Sequence, residues 1–181
     1  DIKQLTTFEE DKMFEPRFIA GPDFGGVCLL GKRKHVRWID TATDDCVKAV
    51  SSMFSVENSG GTSTAIAYRV AFDCKLFATD CSDMVFIVAH LNNEHAKHWE
   101  IPQLFYDWVK EVVESTDCRV MCGDLNLQCY NAVTEMKKRG IDMTLAAYHT
   151  NINKTSPQHF GRTVNFDSDG IWIIGPYHGI L

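Results

Sequence analysis

The chain has little of several things that would settle its class at once. Its 181 residues hold no apolar run near the roughly 18 that a membrane span needs, and the first thirty carry no leader-like pattern. No membrane span is expected. Positive charge is scarce: 18 Lys and Arg against 24 Asp and Glu leave a formal net charge of −6. A strongly basic duplex-DNA footprint is therefore missing, and any phosphate contact must rest on a local patch. No repeat, linker or low-complexity stretch divides the chain, which excludes solenoid and disordered classes. Seven cysteines include no CxxC pair, and their number is odd. Several sit in apolar runs (VCLL, RVMC), where a free thiol behaves as a small hydrophobe. That pattern predicts a reducing, intracellular compartment (cytoplasmic or nuclear), with a zinc site or disulfide framework as the minor alternative.

What is present is ordinary globular composition, 45% hydrophobic and 23% charged, at the length of one domain. Residues 1–181 are read as a single domain. With Asp1 rather than Met at its head, the chain is expected to be a processed product or a piece of something longer. The charged stretch 1–15 predicts a short helix. GGVCLLGK and VRWID read as strands separated by a basic turn, TATDDCVKAVSSMF as a short helix, and residues 58–62 as a loop. Thr64–Phe72 alternates as a strand should, while Met84–His90 is a nearly continuous β-branched and aromatic run, hence a central strand buried on both faces. Ile101, Leu104, Phe105, Trp108, Val109, Val112 and Val113 fall on one helical stripe, with Pro102 in the first turn. CRVMCGDLN follows as a buried strand with a polar tip, then NAVTEMKKRG as a helix that Gly140 stops, and MTLAAY, GRTVNF and DGIWII as further strands. Strands and helices mix, so the class is α/β.

Three polar tips end or open apolar strands: His90, Asp124 with Asn126, and Asp169. Strand ends of an α/β sheet can converge on one rim, where such sheets bind ligands. Asp, Asn and His together suit phosphoester chemistry. A carboxylate holds a divalent cation or orients water, an amide donates to a phosphoryl oxygen, and an imidazole donates to developing charge. Each residue alone also fits a simple turn cap.

In chain order the motifs say more. His90-Leu91 ends an apolar strand, Gln103-Leu104 lies on an amphipathic helix, Gly123-Asp124-Leu125-Asn126 ends a second apolar strand, and Asp169-Gly170-Ile171 opens a late one. The set, over about residues 24–181, resembles the endonuclease/exonuclease/phosphatase (DNase I-like) superfamily. The resemblance implies two mixed β-sheets packed face to face with helices outside, a four-layer α/β sandwich. It also implies Mg²⁺- or Mn²⁺-dependent phosphodiester hydrolysis, of the nuclease kind found in retroelement endonucleases, on nucleic acid or another phosphodiester. Asp124 would orient or deprotonate water, Asn126 bind the phosphate, His90 sit beside a phosphate oxygen, and Asp169 place the metal or a catalytic His; the metal set is Asp124, Asn126 and Asp169. The family's early strand carrying a metal-binding Glu has no counterpart before Phe24, so the resemblance implies an N-terminally truncated fold, completed by a missing segment or a second chain. In place of the family's Ser-Asp-His stands Tyr177-His178, which makes His178 the candidate general acid/base. Without the Glu, a degenerate domain serving as a binding or scaffold module is the alternative.

His95 and His98 share a helical face and read as a solvated first turn more readily than as a metal site. Trp38, Trp108 and Trp172 read as core or core-edge. Trp99 is the tryptophan expected to be exposed near the His90 rim, where it would stack on a base or sugar, and Arg162 and Thr163 either touch a substrate phosphate or serve structural hydrogen bonding. Lys32, Arg33, Lys34 and Arg37 are either a solvated turn or a phosphate contact.

Overall fold

The computed structural model describes residues 13–20, 26–39, 63–72, 83–98, 100–116, 118–148 and 168–175. Two strands, β1 (Phe14–Ala20) and β2 (Gly26–Lys32), pair antiparallel as one small sheet. The larger sheet has six: β3 (Val36–Ile39), β4 (Thr64–Phe72), β5 (Asp83–His90), β6 (Cys118–Asp124), β7 (Met143–Tyr148) and β8 (Asp169–Ile174). Their spatial order is β3-β4-β5-β6-β8-β7. β5 and β6 run parallel and every other pair antiparallel, so the sheet is mixed. A parallel pair needs a crossover. Here it contains α1 (Asn93–Lys97) and α2 (Glu100–Ser115), and α3 (Cys129–Lys138) follows β6.

The alternation of side chains along each strand decides what each face meets. On one face Ala65, Ala67, Val85, Ile87, Ala89, Met121, Trp172 and Ile174 pack with Phe105, Trp108, Val109 and Val112 of α2 and with Ala132 and Met136 of α3. Each large apolar side chain sealed there contributes about 1.5–3 kcal/mol. The opposite face carries Ile66 and Val88, which meet Val27 of the small sheet. The α/β sandwich is thus helices, large sheet, small sheet among the described residues.

Three expectations need correction. Phe14 and Glu15 are not helical: they pair with Lys32 and Gly31, and Arg33 fastens the strand by donating to the Phe14 carbonyl at 3.1 Å and bridging Glu15 at 2.9 Å. Ladder pairing outweighs a weak local helix tendency. Arg33 is thus an exposed side chain with contacts to β1. The apolar stripe of α2 holds at Ile101, Phe105, Trp108, Val109 and Val112, with two departures. Leu104 is 41% exposed and Tyr106 is buried, because the Arg139 guanidinium, at the C-terminal end of α3, stacks 5.7 Å from the Tyr106 ring and bonds Gln103 and Asp107 beside it. Finally, His95 is fully buried, whereas His98 is exposed. The helix predicted from TATDDCVKAVSSMF, the loop at 58–62 and the strand GRTVNF lie outside the described residues.

The end of α3 follows its sequence closely. Gly140 has φ 78°, its N–H donates to the Lys137 carbonyl, and Ile141 N–H reaches back to Met136, which together close the helix as a Schellman motif. Cys118 and Cys129 are buried and Cys122 is partly buried, as the small-hydrophobe reading anticipates. Trp108 and Trp172 are core. No helix among the described residues is long and apolar enough to cross a membrane.

Candidate active site

The strand ends bring the polar tips together through register. His90 pairs with Asp124 across β5 and β6, and Asp124 pairs with Asp169 across β6 and β8. All three therefore stand in one row, on the face away from the helices. Thr64 extends the row on the other side, opposite His90. Directly opposed antiparallel residues hold their Cβ atoms about 4.5–5.5 Å apart, so Asp124 and Asp169 are within reach of a shared ligand.

Gly123 makes this approach possible. Its φ is 147°, and a Cβ there would lie 1.8 Å from the Ala89 carbonyl oxygen. Only glycine lets β6 run against β5 at that point. The chain then turns tightly. Asp124 Oδ1 accepts the Asn126 N–H at 2.8 Å, Asn126 takes φ 48°, and its amide Nδ2 donates to the Leu91 carbonyl at 2.6 Å. Leu91 N–H donates to the Asp124 carbonyl at 2.9 Å, and Leu125 N–H to the Ser168 carbonyl at 3.0 Å. The turn after β5 and the turn after β6 are thus stitched into one rim. Leu125 anchors the rim from below with no exposed surface.

A pocket of about 450 Å³ opens beside the row, lined by Cys122, Gly123, Asp124, Asp169, Gly170 and Ile171, with Ala147 and Tyr148 from β7. Its walls are mostly apolar, and Ile171 and Tyr148 are 44% and 50% exposed. Burial pushes the Cys122 thiol up from its ordinary range, which keeps it protonated and a poor nucleophile. At the other end of the row, His90 Nδ1 and Thr64 Oγ1 are sealed from solvent and have no hydrogen-bond partner among the described residues. That leaves Nε2 as the ring atom of His90 open to a ligand.

Of the residues expected from the sequence, His90, Asp124, Asn126 and Asp169 are therefore together. Trp99, Arg162 and His178 lie outside the described residues. Among the described residues no group of three or more His, Cys, Asp or Glu side chains is placed to hold a metal, and the available donors are the carboxylate pair. Sequence reasoning missed Thr64 and Ser63. The only signal was two polar residues opening an apolar strand that returns beside His90.

This architecture is the endonuclease/exonuclease/phosphatase (DNase I-like) fold. Several solved structures share it. A zebrafish (D. rerio) TDP2 complexed with a single-strand DNA product is 13% identical, with 99% of this chain on 68% of that one and a TM-score of 0.59. The human Nocturnin catalytic domain with bound sulfate is 12% identical, covering 93% and 63%, with a TM-score of 0.57. An endonuclease/exonuclease/phosphatase family protein from Bacteroides thetaiotaomicron is 11% identical, covering 95% and 65%, with a TM-score of 0.60. The chain thus spans about two thirds of these neighbours. No family sequence model matches it, and no curated protein sequence does.

Proposed function

We propose that this single domain is a divalent-metal-dependent phosphodiesterase, most closely an endonuclease-like nuclease. The observation that carries the reading is the register row His90–Asp124–Asp169 with Asn126 locked behind it. In this reading Asp124 orients or deprotonates the attacking water. His90 Nε2 donates to a phosphoryl oxygen, and Asn126 steadies the phosphate as charge builds on it. Asp124 and Asp169, with Asn126, would hold Mg²⁺ or Mn²⁺. The opposed carboxylates fit a hard cation that takes one or two carboxylates and keeps its waters. When bound, the cation draws charge from the phosphoryl oxygens.

His178 as general acid/base, Trp99 as a stacking surface and Arg162 as a phosphate contact complete the assignment. Support for a nucleic-acid substrate comes from the fold neighbour that holds a single-strand DNA product. The part of the fold this chain does not span would come from a preceding segment or a second chain. The odd number of cysteines, with no CxxC pair, fits an intracellular setting.

A second reading, a degenerate domain that binds a partner through its rim, is favoured by one observation. Asp124 Oδ1 and the Asn126 amide are already engaged inside the rim. Hydrolysis of bis(p-nitrophenyl) phosphate and of plasmid DNA, with Mg²⁺, Mn²⁺ or EDTA, separates the two. Metal-dependent turnover that disappears in the Asp124→Ala, Asn126→Ala double variant is expected. A folded but inactive wild type would hand the rim to the binding module.

A further inference from the structure

We propose that Ser63 and His95 are positioning residues: a sealed serine–histidine pair that fixes the turn after β5 and, through it, aims Asn126. For the effect on catalysis this rests on the function proposed above.

The pair is costly on its own terms. Ser63 is 1% and His95 0% exposed, in a region where apolar side chains would fill space without desolvation. Burying such groups is tolerable only when they are bonded. Ser63 Oγ lies 2.7 Å from His95 Nδ1 and also accepts the Asn92 N–H at 2.8 Å. Because Ser63 Oγ already accepts from Asn92, its hydroxyl proton is placed to donate to Nδ1 of a neutral ring.

What the pair holds is the Leu91–Asn92 turn, and that turn is gripped from two sides. From the interior, Ser63 takes the Asn92 N–H. From the rim, the Leu91 carbonyl receives the Asn126 amide at 2.6 Å, and Leu91 N–H bonds the Asp124 carbonyl at 2.9 Å. Asn126 sits at φ 48°, so its side chain is steered by that one carbonyl rather than by a regular element. The Asn92 carbonyl also receives Ala96 N–H at 2.8 Å, so losing the Ser63 bond loosens the N–H side of the turn, next to the Leu91 carbonyl, and the amide of Asn126 moves with it. A shift of about 1 Å at a reacting group costs on the order of 100-fold in rate.

The test reads Asn126 directly. In amide NMR spectra of the full chain, with the Asn126 side-chain pair assigned by its loss in Asn126→Asp, Ser63→Ala is expected to collapse that pair toward free asparagine. Its exchange should quicken about 10-fold or more. The Trp172 indole N–H, bonded to the Cys129 carbonyl at 3.0 Å, should not move and reports an intact core. With Mg²⁺ and bis(p-nitrophenyl) phosphate, kcat should fall about 10–100-fold at unchanged KM. Should Ser63→Ala fail to fold, His95→Gln, whose amide oxygen accepts the serine hydroxyl, is set against His95→Leu, which has no acceptor. The Gln variant keeps the Asn126 signal and the Leu variant loses it. An Asn126 pair that is unchanged in Ser63→Ala, or alike in the Gln and Leu variants, overturns the proposal. A wild type without activity overturns the proposed function instead and leaves the amide spectra to decide the positioning role.

Discussion

Trp172 and Ile171 are adjacent on β8 and belong to two different environments. Trp172 has no exposed surface and donates its indole N–H to the Cys129 carbonyl, while Ile171 is 44% exposed at the wall of the pocket. The same division runs across the whole sheet. One face is closed by α2 and α3 over a continuous core, and the other is covered by the small sheet over β4 and β5 and carries the polar row at its end. A packed face turns substitutions into lost stability. A face that keeps polar groups and a pocket turns them into lost binding or chemistry. The boundary between the two is one peptide wide.

Substitutions can break or sharpen that contrast. The largest effect is expected at Gly123, where both faces meet. Gly123→Ala places a Cβ into the Ala89 carbonyl at positive φ, and should cost roughly 4–6 kcal/mol from strain and overlap together, read by urea denaturation. Next comes Trp172→Ala, which should lose about 3–5 kcal/mol by emptying the core. A midpoint shift of less than about 1 kcal/mol there would mean that the helix-side core is not continuous.

His95 yields a smaller, pH-dependent effect. Burial first, and the neighbouring charge of His98 second, lower its pKa below 6.5 in the folded chain. The unfolded chain then binds the extra proton, so this contribution to stability is whole above about pH 6.5 and falls as pH drops toward the folded value. Thermal melting between about pH 7.5 and 5 should lose more for wild type than for His95→Gln; parallel losses would contradict it.

Thr64→Val tests the orphaned hydroxyl. It should leave stability unchanged or raise it by about 1 kcal/mol, since an unpartnered buried hydroxyl is replaced by a methyl. A clear loss would mean that the hydroxyl is bonded in solution. Smallest of all, Ile171→Ser should stay within about 0.5 kcal/mol of wild type although it borders Trp172.

The sequence made the long, uniform elements plain. β4, β5, β6 and α2 each carry enough apolar repetition to declare themselves, and the GDLN tip announces Asp124 and Asn126. β1 was hidden because FEPRFIA has a proline, two charges and no alternation; its strand state comes from pairing with β2. The burial of Tyr106, off the α2 stripe, depends on where Arg139 arrives, 33 residues after Tyr106. His95 looked like a surface residue because the serine that receives it lies 32 positions earlier. The candidate site was legible as a set of residues but not as a row. Facing pairs are a property of register, which no single segment contains.

That dependence on register gives Trp172 a second role, as an alignment pin. If β8 slid by one residue against β6, Asp169 and Ile171 would swing to the helix side and the indole would swing into water. Secondary structure content would hardly change, but tryptophan emission would. The burial of one ring is therefore tied to whether Asp169 stands opposite Asp124, and in a chain whose other three tryptophans are replaced by phenylalanine its emission reports that register.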